Sequence, residues 1–405
     1  MTFQTKLRAD FWLGGLLLAL LYGPVRLLGQ ALRRDHTTTH RRGCVVIKLV
    51  GAGSLFLAMP SMQEIRRTFP PGRFYLVGTP AVIRTAQEFG WFDEYWTIDD
   101  TSVRRLLWTA GVALWRMARH ADHLIDLEVH SRFTTVFSVL SMIRNRIGFV
   151  DEIVFWRRAF YTHMTFFNVH GPVYVFYDML ARWFGVDTVA VTAFNDAFHA
   201  HVLATQLPAG TIPAVPFVAI GHACSNLGRE RQLHPDEWKQ LLRTVLLSGL
   251  EIVLVGGPDD ATTAATIIAE LGHGRNLCGQ LSIGQSAKVL AGASAYYGID
   301  SILLHFARAL GVPTVSVFGP TDPATRLRPI VTRERVAFAR LPCSPCVHVN
   351  EIPPCRGKRP CMALALQDLI AFPDQQPGFA TSAPAVGWQV DPVSAKVLEA
   401  RVTVS

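Results

Sequence analysis

The apolar positions of the chain fall into short runs that alternate with longer amphipathic stretches. Four runs in the first half have the length of buried strands: CVVIKLV (44–50), FYLVG (74–78), WTI (96–98) and HLIDL (123–127). Four more follow in the second half: FVAIG (217–221), EIVLVGG (251–257), AYYGI (295–299) and TVSVFG (314–319). Helical spacing lies between them, notably at 80–89, 103–118, 235–247, 260–271 and 302–310. Strands that alternate with helices predict parallel sheets covered by helices on both faces.

A proline-marked break at 213–216 separates the two series, so the sequence predicts two doubly wound α/β domains. We assign residues 44–212 to the first domain and residues 213–342 to the second. An N-terminal helix and linker occupy 1–43, and a cysteine-rich loop and tail occupy 343–405. The aromatic-rich region 153–211 predicts loops and two helices.

The N-terminal segment has the character of a membrane-facing helix. Phe11 to Val25 carries no charge, but a helix of that length spans only about 22 Å, whereas a bilayer core is about 30 Å thick. Cations flank the run on both sides and favour anionic head groups. We therefore expect a helix that lies in the inner face of a membrane. A transmembrane anchor and a cleaved export signal are the alternatives, and Arg26 counts against the latter.

Composition excludes disorder and leaves the partner open. The chain of 405 residues is 50% hydrophobic and 17% charged, against about 25% charged in an average soluble protein. Its formal net charge of +8 suits anionic lipids or phosphate ligands. We expect no nucleic-acid partner, because no recognition motif accompanies the charge.

Two strand ends carry candidate chemistry, since parallel sheets bind ligands beyond the carboxyl ends of their strands. Gly51-Ala-Gly53-Ser54 follows the first run, and its small residues permit close approach to an anion. Asp300 and Ser301 open a later helix, with His305 one turn inside it. A tight packing turn and a packed histidine are the plain alternatives. The first motif lacks both the third glycine of a dinucleotide site and the lysine of a P-loop.

Residues 44 to about 370 resemble glycosyltransferase family nine, the lipopolysaccharide heptosyltransferases. The matching stretches are 45–62, 122–140, 146–150, 251–258, 276–283, 298–323 (GIDSILLHFARALGVPTVSVFGPTDP) and CSPC at 343–346. The resemblance implies the GT-B fold of two facing Rossmann-like domains, an acceptor-binding N-terminal one and a nucleotide-sugar-binding C-terminal one. It also implies inverting transfer of heptose from ADP-heptose to the inner core of lipopolysaccharide at the cytoplasmic face of the inner membrane. The alternatives are another nucleotide sugar and surface glycan, or a catalytically degenerate binding protein of this fold.

The resemblance also assigns residues to the donor side. Asp300, Ser301 and His305 match the diphosphate segment, and Arg231 falls at a phosphate-binding position. The remaining donor-side positions are the glycines at strand ends, Gly256, Gly257 and Gly319. We expect helix amides and cations to stabilise the departing diphosphate without a cofactor.

The acceptor side departs from the family pattern. Gly51, Gly53 and Arg132 are its candidate binding residues, but Ser54 stands where many members carry an aspartate regarded as the general base. A serine hydroxyl alone cannot accept a proton at neutral pH. Ile302 likewise replaces the usual glycine of the diphosphate loop.

Two acids at the end of the fourth run are the alternatives to Ser54. We predict Glu128 as the base, with Asp126 as second choice, because residues two apart on a strand share a side. The plain alternative is that these acids cap the following helix or pair with Arg132.

Four of the seven cysteines form a cluster near the C-terminus: Cys343, Cys346, Cys355 and Cys361. Four thiolates in a short loop can complete a tetrahedral zinc site. A structural zinc ion is therefore one interpretation; reduced packed thiols and an iron–sulfur or redox site are the others.

Overall fold

The computed structural model describes residues 3–39, 41–225, 228–247, 249–330, 333–347 and 353–371. Contacts divide these residues into two units. The first comprises 3–168 and 175–190, and the second comprises 169–174 and the described residues of 191–371.

The first unit contains a six-stranded parallel sheet. Its strands are β1 (Cys44–Lys48), β2 (Phe74–Gly78), β3 (Glu94–Thr97), β4 (His123–Asp126), β5 (Asn145–Val150) and β6 (His163–Phe166). Its helices are α1 (Phe3–Leu32), α2 (Ala52–Arg67), α3 (Pro80–Glu88), α4 (Val103–His120) and α5 (Arg132–Leu140), and α6 (Val173–Arg182) follows. The strand order is β3-β2-β1-β4-β5-β6, and every residue of the central strand β1 is buried.

The second unit repeats this plan. Its strands are β7 (Phe217–Gly221), β8 (Glu251–Leu254), β9 (Arg275–Asn276), β10 (Ala295–Ile299), β11 (Thr314–Phe318) and β12 (Glu334–Phe338). Its helices are α7 (Val191–Ala204), α8 (Pro235–Leu247), α9 (Ala261–Leu271), α10 (Ile283–Ala291), α11 (Ile302–Ala309), α12 (Pro323–Arg326) and α13 (Pro360–Ala371). The order β12-β11-β10-β7-β8-β9 is the first sheet's order read from the other edge.

Both orders are the Rossmann order, in which the chain reverses direction across the sheet between two central strands. Those strands are β1 and β4 in the first sheet and β7 and β10 in the second. Loops that leave the carboxyl ends of these strands diverge and open a crevice for ligands. The following candidate residues lie at the ends of these four strands or in the segments that come directly after them: Gly51, Gly53, Ser54, Asp126, Glu128, Arg231, Asp300, Ser301 and His305.

One face of the first sheet is covered by α4 and α5, with α1 packed against α5. Ala113 of α4 and Phe137 of α5 share a core with Val45 of β1, and Leu18 of α1 packs with Val136 of α5. The Asp10 carboxylate accepts hydrogen bonds from the first amides of α5 and from the Ser131 hydroxyl. These three hydrogen bonds cap the start of α5 and hold α1 against the first unit.

The predicted alternation is confirmed, with additions. All eight apolar runs contain strands, and region 153–211 contains two helices, α6 and α7, as expected. The same region also holds β6 and a short 3₁₀ helix, Phe155–Ala159. The structure adds β5, β9 and β12, in which polar residues make up the whole strand or its first two positions. It also shows that α1 continues through Pro24.

Candidate active site

The second unit places Asp300 and Ser301 between β10 and α11, at the point where the sheet reverses. Both are buried, and Ser301 is the residue that caps α11. The first amide groups of a helix have no partner within the helix and carry partial positive charge, so this helix start suits an anion.

Asp300 lies among cations. Arg231 Nη1 donates to the Asp300 carbonyl at 2.8 Å and to its Oδ2 at 3.2 Å. Burial alone would raise the pKa of Asp300, but the charges of Arg231, Arg326 and His305 outweigh it and lower the pKa to about 2. Asp300 is therefore ionised and holds Arg231 at the start of α11.

His305 is neutral at physiological pH. Its Nε2 lies 3.7 Å from Asp300 Oδ1. Burial, with the charges of neighbouring arginines, lowers its pKa to about 4 against the opposing effect of Asp300. A neutral imidazole still offers one N–H to a ligand oxygen.

Sequence reasoning missed two buried groups at this site. His222 directly follows β7, is 2% exposed, and has no hydrogen-bond partner for either ring nitrogen within the described part of the chain. The Arg326 Nε in α12 is buried without a described partner as well. Buried polar atoms are rarely left unpaired, so both suit ligand contacts. The position of His222 at a central strand end was the available signal.

The three donor-side glycines, Gly256, Gly257 and Gly319, lie close to other side chains of the second unit. A Cβ on Gly256 would meet Asp260 and Cys278, and Gly257 donates its N–H to the Asp260 carboxylate at 2.8 Å. A Cβ on Gly319 would lie 2.8 Å from Cys361 Sγ. At Gly256 and Gly319, therefore, a larger residue would displace packed atoms.

The four cysteines of the C-terminal cluster are free thiols that lie near one another. Among the residues that the structure describes, which include all four thiols, no group of three or more His, Cys, Asp or Glu is arranged to hold a metal ion. Cys346 and Cys361 are buried, and Cys343 and Cys355 are half-exposed. Burial, together with the neighbouring thiols, raises the pKa of Cys346 to about 11. Structural zinc, packed thiols and an iron–sulfur or redox site therefore all stay predictions for this cluster.

In the first unit, Glu128 lies where β1 and β4 diverge. Its Oε1 accepts hydrogen bonds from the amides of Leu49 and Val50 at 2.8 and 2.9 Å, and lies 3.1 Å from Lys48 Nζ. Lys48 is 5% exposed, and the Glu128 side chain is 15% exposed. Burial alone would lower the pKa of Lys48, but the charge and hydrogen bond of Glu128, together with the charges of Tyr177 and Asp126, outweigh burial and raise the pKa. Oε2 accepts no hydrogen bond from any described residue.

Asp126 has a different environment, although it is only two residues away. It is fully buried, and its Oδ2 lies 2.5 Å from Arg157 Nη2 and from the Tyr161 hydroxyl. Burial raises the pKa of Asp126 against the opposing charge of Arg157. Its Oδ1 accepts from the Glu128 amide at 2.9 Å, so Asp126 positions the backbone of Glu128.

The remaining acceptor-side candidates lie at helix starts. The Ser54 hydroxyl donates to the Gly51 carbonyl at 2.8 Å in the first turn of α2, which also contains Gly53. Gly51 has φ 85°, a conformation that favours glycine. Arg132 donates its backbone N–H to Asp10 and lies over the Phe11 ring, so its partners belong to α1 rather than to Glu128.

Comparisons with known proteins point to one group of enzymes. The model of glycosyltransferase family 9 (heptosyltransferase) matches residues 180–355. Lipopolysaccharide heptosyltransferase 1 of Pseudomonas aeruginosa is 34% identical over 111 residues, which are 27% of this chain and 31% of that protein. Lipopolysaccharide heptosyltransferase 2 of Escherichia coli is 31% identical over 91 residues, 21% of this chain and 26% of that protein. The aligned segments span about a third or less of these relatives.

Solved structures match more of the chain. ADP-heptose lipopolysaccharide heptosyltransferase II of E. coli has a TM-score of 0.57 at 16% identity and covers 81% of this chain and 98% of its own. E. coli heptosyltransferase WaaC with ADP-2-deoxy-2-fluoro heptose has a TM-score of 0.56 at 18% identity, covering 73% and 93%. At these identities the likeness establishes the fold. The chain has the GT-B fold of two Rossmann-like parallel sheets, as predicted.

Proposed function

We propose that the protein is an inverting family-nine glycosyltransferase that transfers heptose from ADP-heptose to the inner core of a lipopolysaccharide. The observation that carries the proposal is the start of α11, where Asp300, next to the capping Ser301, binds Arg231 at the reversal point of the second sheet. The family match at 180–355 includes these residues and supports a nucleotide-diphosphate sugar as their ligand.

The donor's diphosphate accepts charge when it leaves. The free amides of α11, Ser301 and the neutral His305 offer hydrogen bonds to its oxygens, and Arg231 and Arg326 supply positive charge. Groups already fixed by the fold need no reorganisation when charge develops, which favours the transition state over the bound donor. This stabilisation needs no cofactor, so we expect turnover to survive EDTA.

The acceptor hydroxyl must lose a proton as its oxygen attacks the anomeric carbon and the bond from that carbon to the diphosphate breaks. We assign the proton to Glu128 Oε2. The ion pair with Lys48 requires an ionised carboxylate, which is the form that a base needs. Asp126 is buried and bound by Arg157 and Tyr161, so it cannot reach the acceptor hydroxyl. We therefore assign it to positioning Glu128 rather than to proton transfer.

Two helices of the first unit support a membrane location. The segment Arg8–Leu32 of α1 is long and apolar enough to cross a bilayer, and 11% of its most apolar window is buried. α4 exposes Trp108 by 73% and Trp115 by 59% beside several arginines. Tryptophan and arginine together favour the interface of an anionic membrane. We propose that these helices hold the enzyme on the cytoplasmic face, where its lipid-linked acceptor lies.

A transfer assay tests the proposal. Purified full-length protein, ADP-heptose and membranes lacking core heptose should yield lipopolysaccharide heavier by one heptose in mass spectra. Parallel reactions with GDP- and UDP-sugars test the donor. Transfer from one of these instead of ADP-heptose would contradict the donor assignment, and no transfer from any of the three would contradict the enzyme itself.

A further inference from the structure

A groove of about 990 Å³ lies within the first unit, on the face covered by α1, α4 and α5. One wall is a single stripe of α1 that runs from Gly15 through Leu18 and Tyr22 to Gly29, at the three- and four-residue spacing of one helix face. The other wall is the segment 155–164. Every lining residue belongs to the first unit, and Glu128 is not among them.

Four arginines line the groove, and no acidic residue does: Arg26, Arg132, Arg146 and Arg158. Within the described ranges, none of the four guanidinium groups pairs with a carboxylate. Arg146 instead donates to the carbonyls of Phe160 and Ile143, both at 2.7 Å. Burial lowers the pKa of Arg146, since no acid compensates its charge. A concentration of uncompensated arginines is suited to phosphate, which accepts two parallel N–H bonds from one guanidinium.

The rest of the lining is largely apolar. Leu18 and Phe160 belong to a buried cluster that also contains Met164, while Phe155 and Tyr22 remain exposed by 57% and 45%. The groove also adjoins the apolar helix that we place at the membrane. Free phosphate or a nucleotide would bind the arginines but leave the apolar lining exposed to water. An acylated molecule that carries phosphate satisfies both parts.

We propose that this groove binds the lipid portion of the acceptor, as one acylated glycolipid whose phosphate groups meet the arginines. The inference rests on the proposed function, because it makes the groove the place where the transferase holds its lipid-linked substrate. The arginines would then fix the position of the lipid, and the sugar to be modified would extend from it.

Two pairs of variants test the groove. Gly29→Trp fills it, because the space around a Gly29 Cβ is open, and Gly23→Trp is the matched control on the same helix, equally open but outside the lining. Arg26→Gln with Arg158→Gln removes two charges. Its control is Arg84→Gln with Arg182→Gln, two exposed arginines outside the groove.

The measurement is binding of full-length protein to nanodiscs that contain phosphorylated lipid A in phosphatidylcholine, compared with phosphatidylcholine alone. Each arginine near an anionic head group contributes about 1 kcal/mol, so the double arginine variant should bind lipid A about 25-fold more weakly. Gly29→Trp should lose at least tenfold, and both controls should stay within twofold. KM for the acylated acceptor should rise in the groove variants, while KM for a deacylated acceptor should not.

The proposal is overturned if the groove variants bind lipid A as the wild type does, if their controls lose as much, or if lipid A gives no gain over phosphatidylcholine. These results are distinguishable from failure of the proposed function. Selective loss of lipid A binding in a protein without transferase activity would uphold the groove and reject the enzyme. If the wild type transfers heptose but the groove variants bind lipid A as tightly as it does, the enzyme is upheld and the groove is rejected.

Discussion

The pair of Lys48 and Glu128 allows the catalytic role of Glu128 to be separated from its structural one. Glu128→Gln keeps an oxygen that can accept from the amides of Leu49 and Val50, but it removes the charge opposite a buried ammonium. Breaking one partner of a fully buried pair costs about 3–5 kcal/mol. Because the Glu128 side chain remains 15% exposed, we expect a loss of about 3 kcal/mol in the free energy of unfolding.

The double variant Lys48→Met with Glu128→Gln removes both charges. It should recover most of the stability, because no uncompensated charge remains. Turnover should not recover, since loss of a general base lowers kcat by about 10²- to 10⁴-fold. Urea unfolding measures the first quantity, and single-turnover transfer at saturating donor measures the second.

The combination of results decides the role of Glu128. Low turnover in both variants, with stability restored in the double variant, agrees with a base. Turnover near the wild-type rate in the double variant would refute the assignment and leave the Lys48 pair as a structural feature only. Titration of ADP provides the control, because donor affinity should not change in either variant.

Arg231→Ala should weaken ADP binding by about 10- to 100-fold, the worth of one or two charged hydrogen bonds; in calorimetry, affinity within twofold of wild type would contradict its role. His305→Gln should make the free energy of unfolding less sensitive to acid. The pKa of His305 in the folded protein is about 4, below the ordinary 6.5, so the unfolded chain takes up the proton first. The wild type therefore loses up to about 3 kcal/mol of its free energy of unfolding as pH falls from 6.5 to 4. If the free energy of unfolding falls equally with pH in the wild type and in His305→Gln, the prediction is wrong. Trp108→Ser with Trp115→Ser should lower partitioning onto anionic vesicles at least tenfold, whereas Leu247→Ser, which alters an exposed leucine of the second unit, should not; equal losses would argue against α4 as a membrane contact.

The sequence predicted the fold well because buried parallel strands are continuous apolar runs. Strands β1, β2, β7 and β10 could be located from such runs. β5 and β12 were not located, because each opens with two polar residues and only a short apolar run follows. Sheet order is also absent from any local pattern, since it depends on pairing between segments far apart in the chain.

The places of the candidate residues in the fold were predictable, but their contacts were not. Asp300 and Glu128 lie at strand ends, where topology directs ligands, and both could be selected from the sequence. The different environments of Asp126 and Glu128 could not, because they depend on Arg157, which is distant in sequence and reaches Asp126 only in the folded unit. His222 was overlooked, because a single histidine after a strand carries no motif.

The central claim is that the start of α11 binds the diphosphate of an activated sugar. Calorimetric titration of the full-length protein with ADP-heptose, ADP and adenosine tests it most directly. The account predicts one site per chain, with ADP-heptose and ADP bound at least a hundredfold more tightly than adenosine, since the phosphates supply two or more charged hydrogen bonds. Equal affinity for adenosine and ADP, or no binding of any of the three, would contradict it.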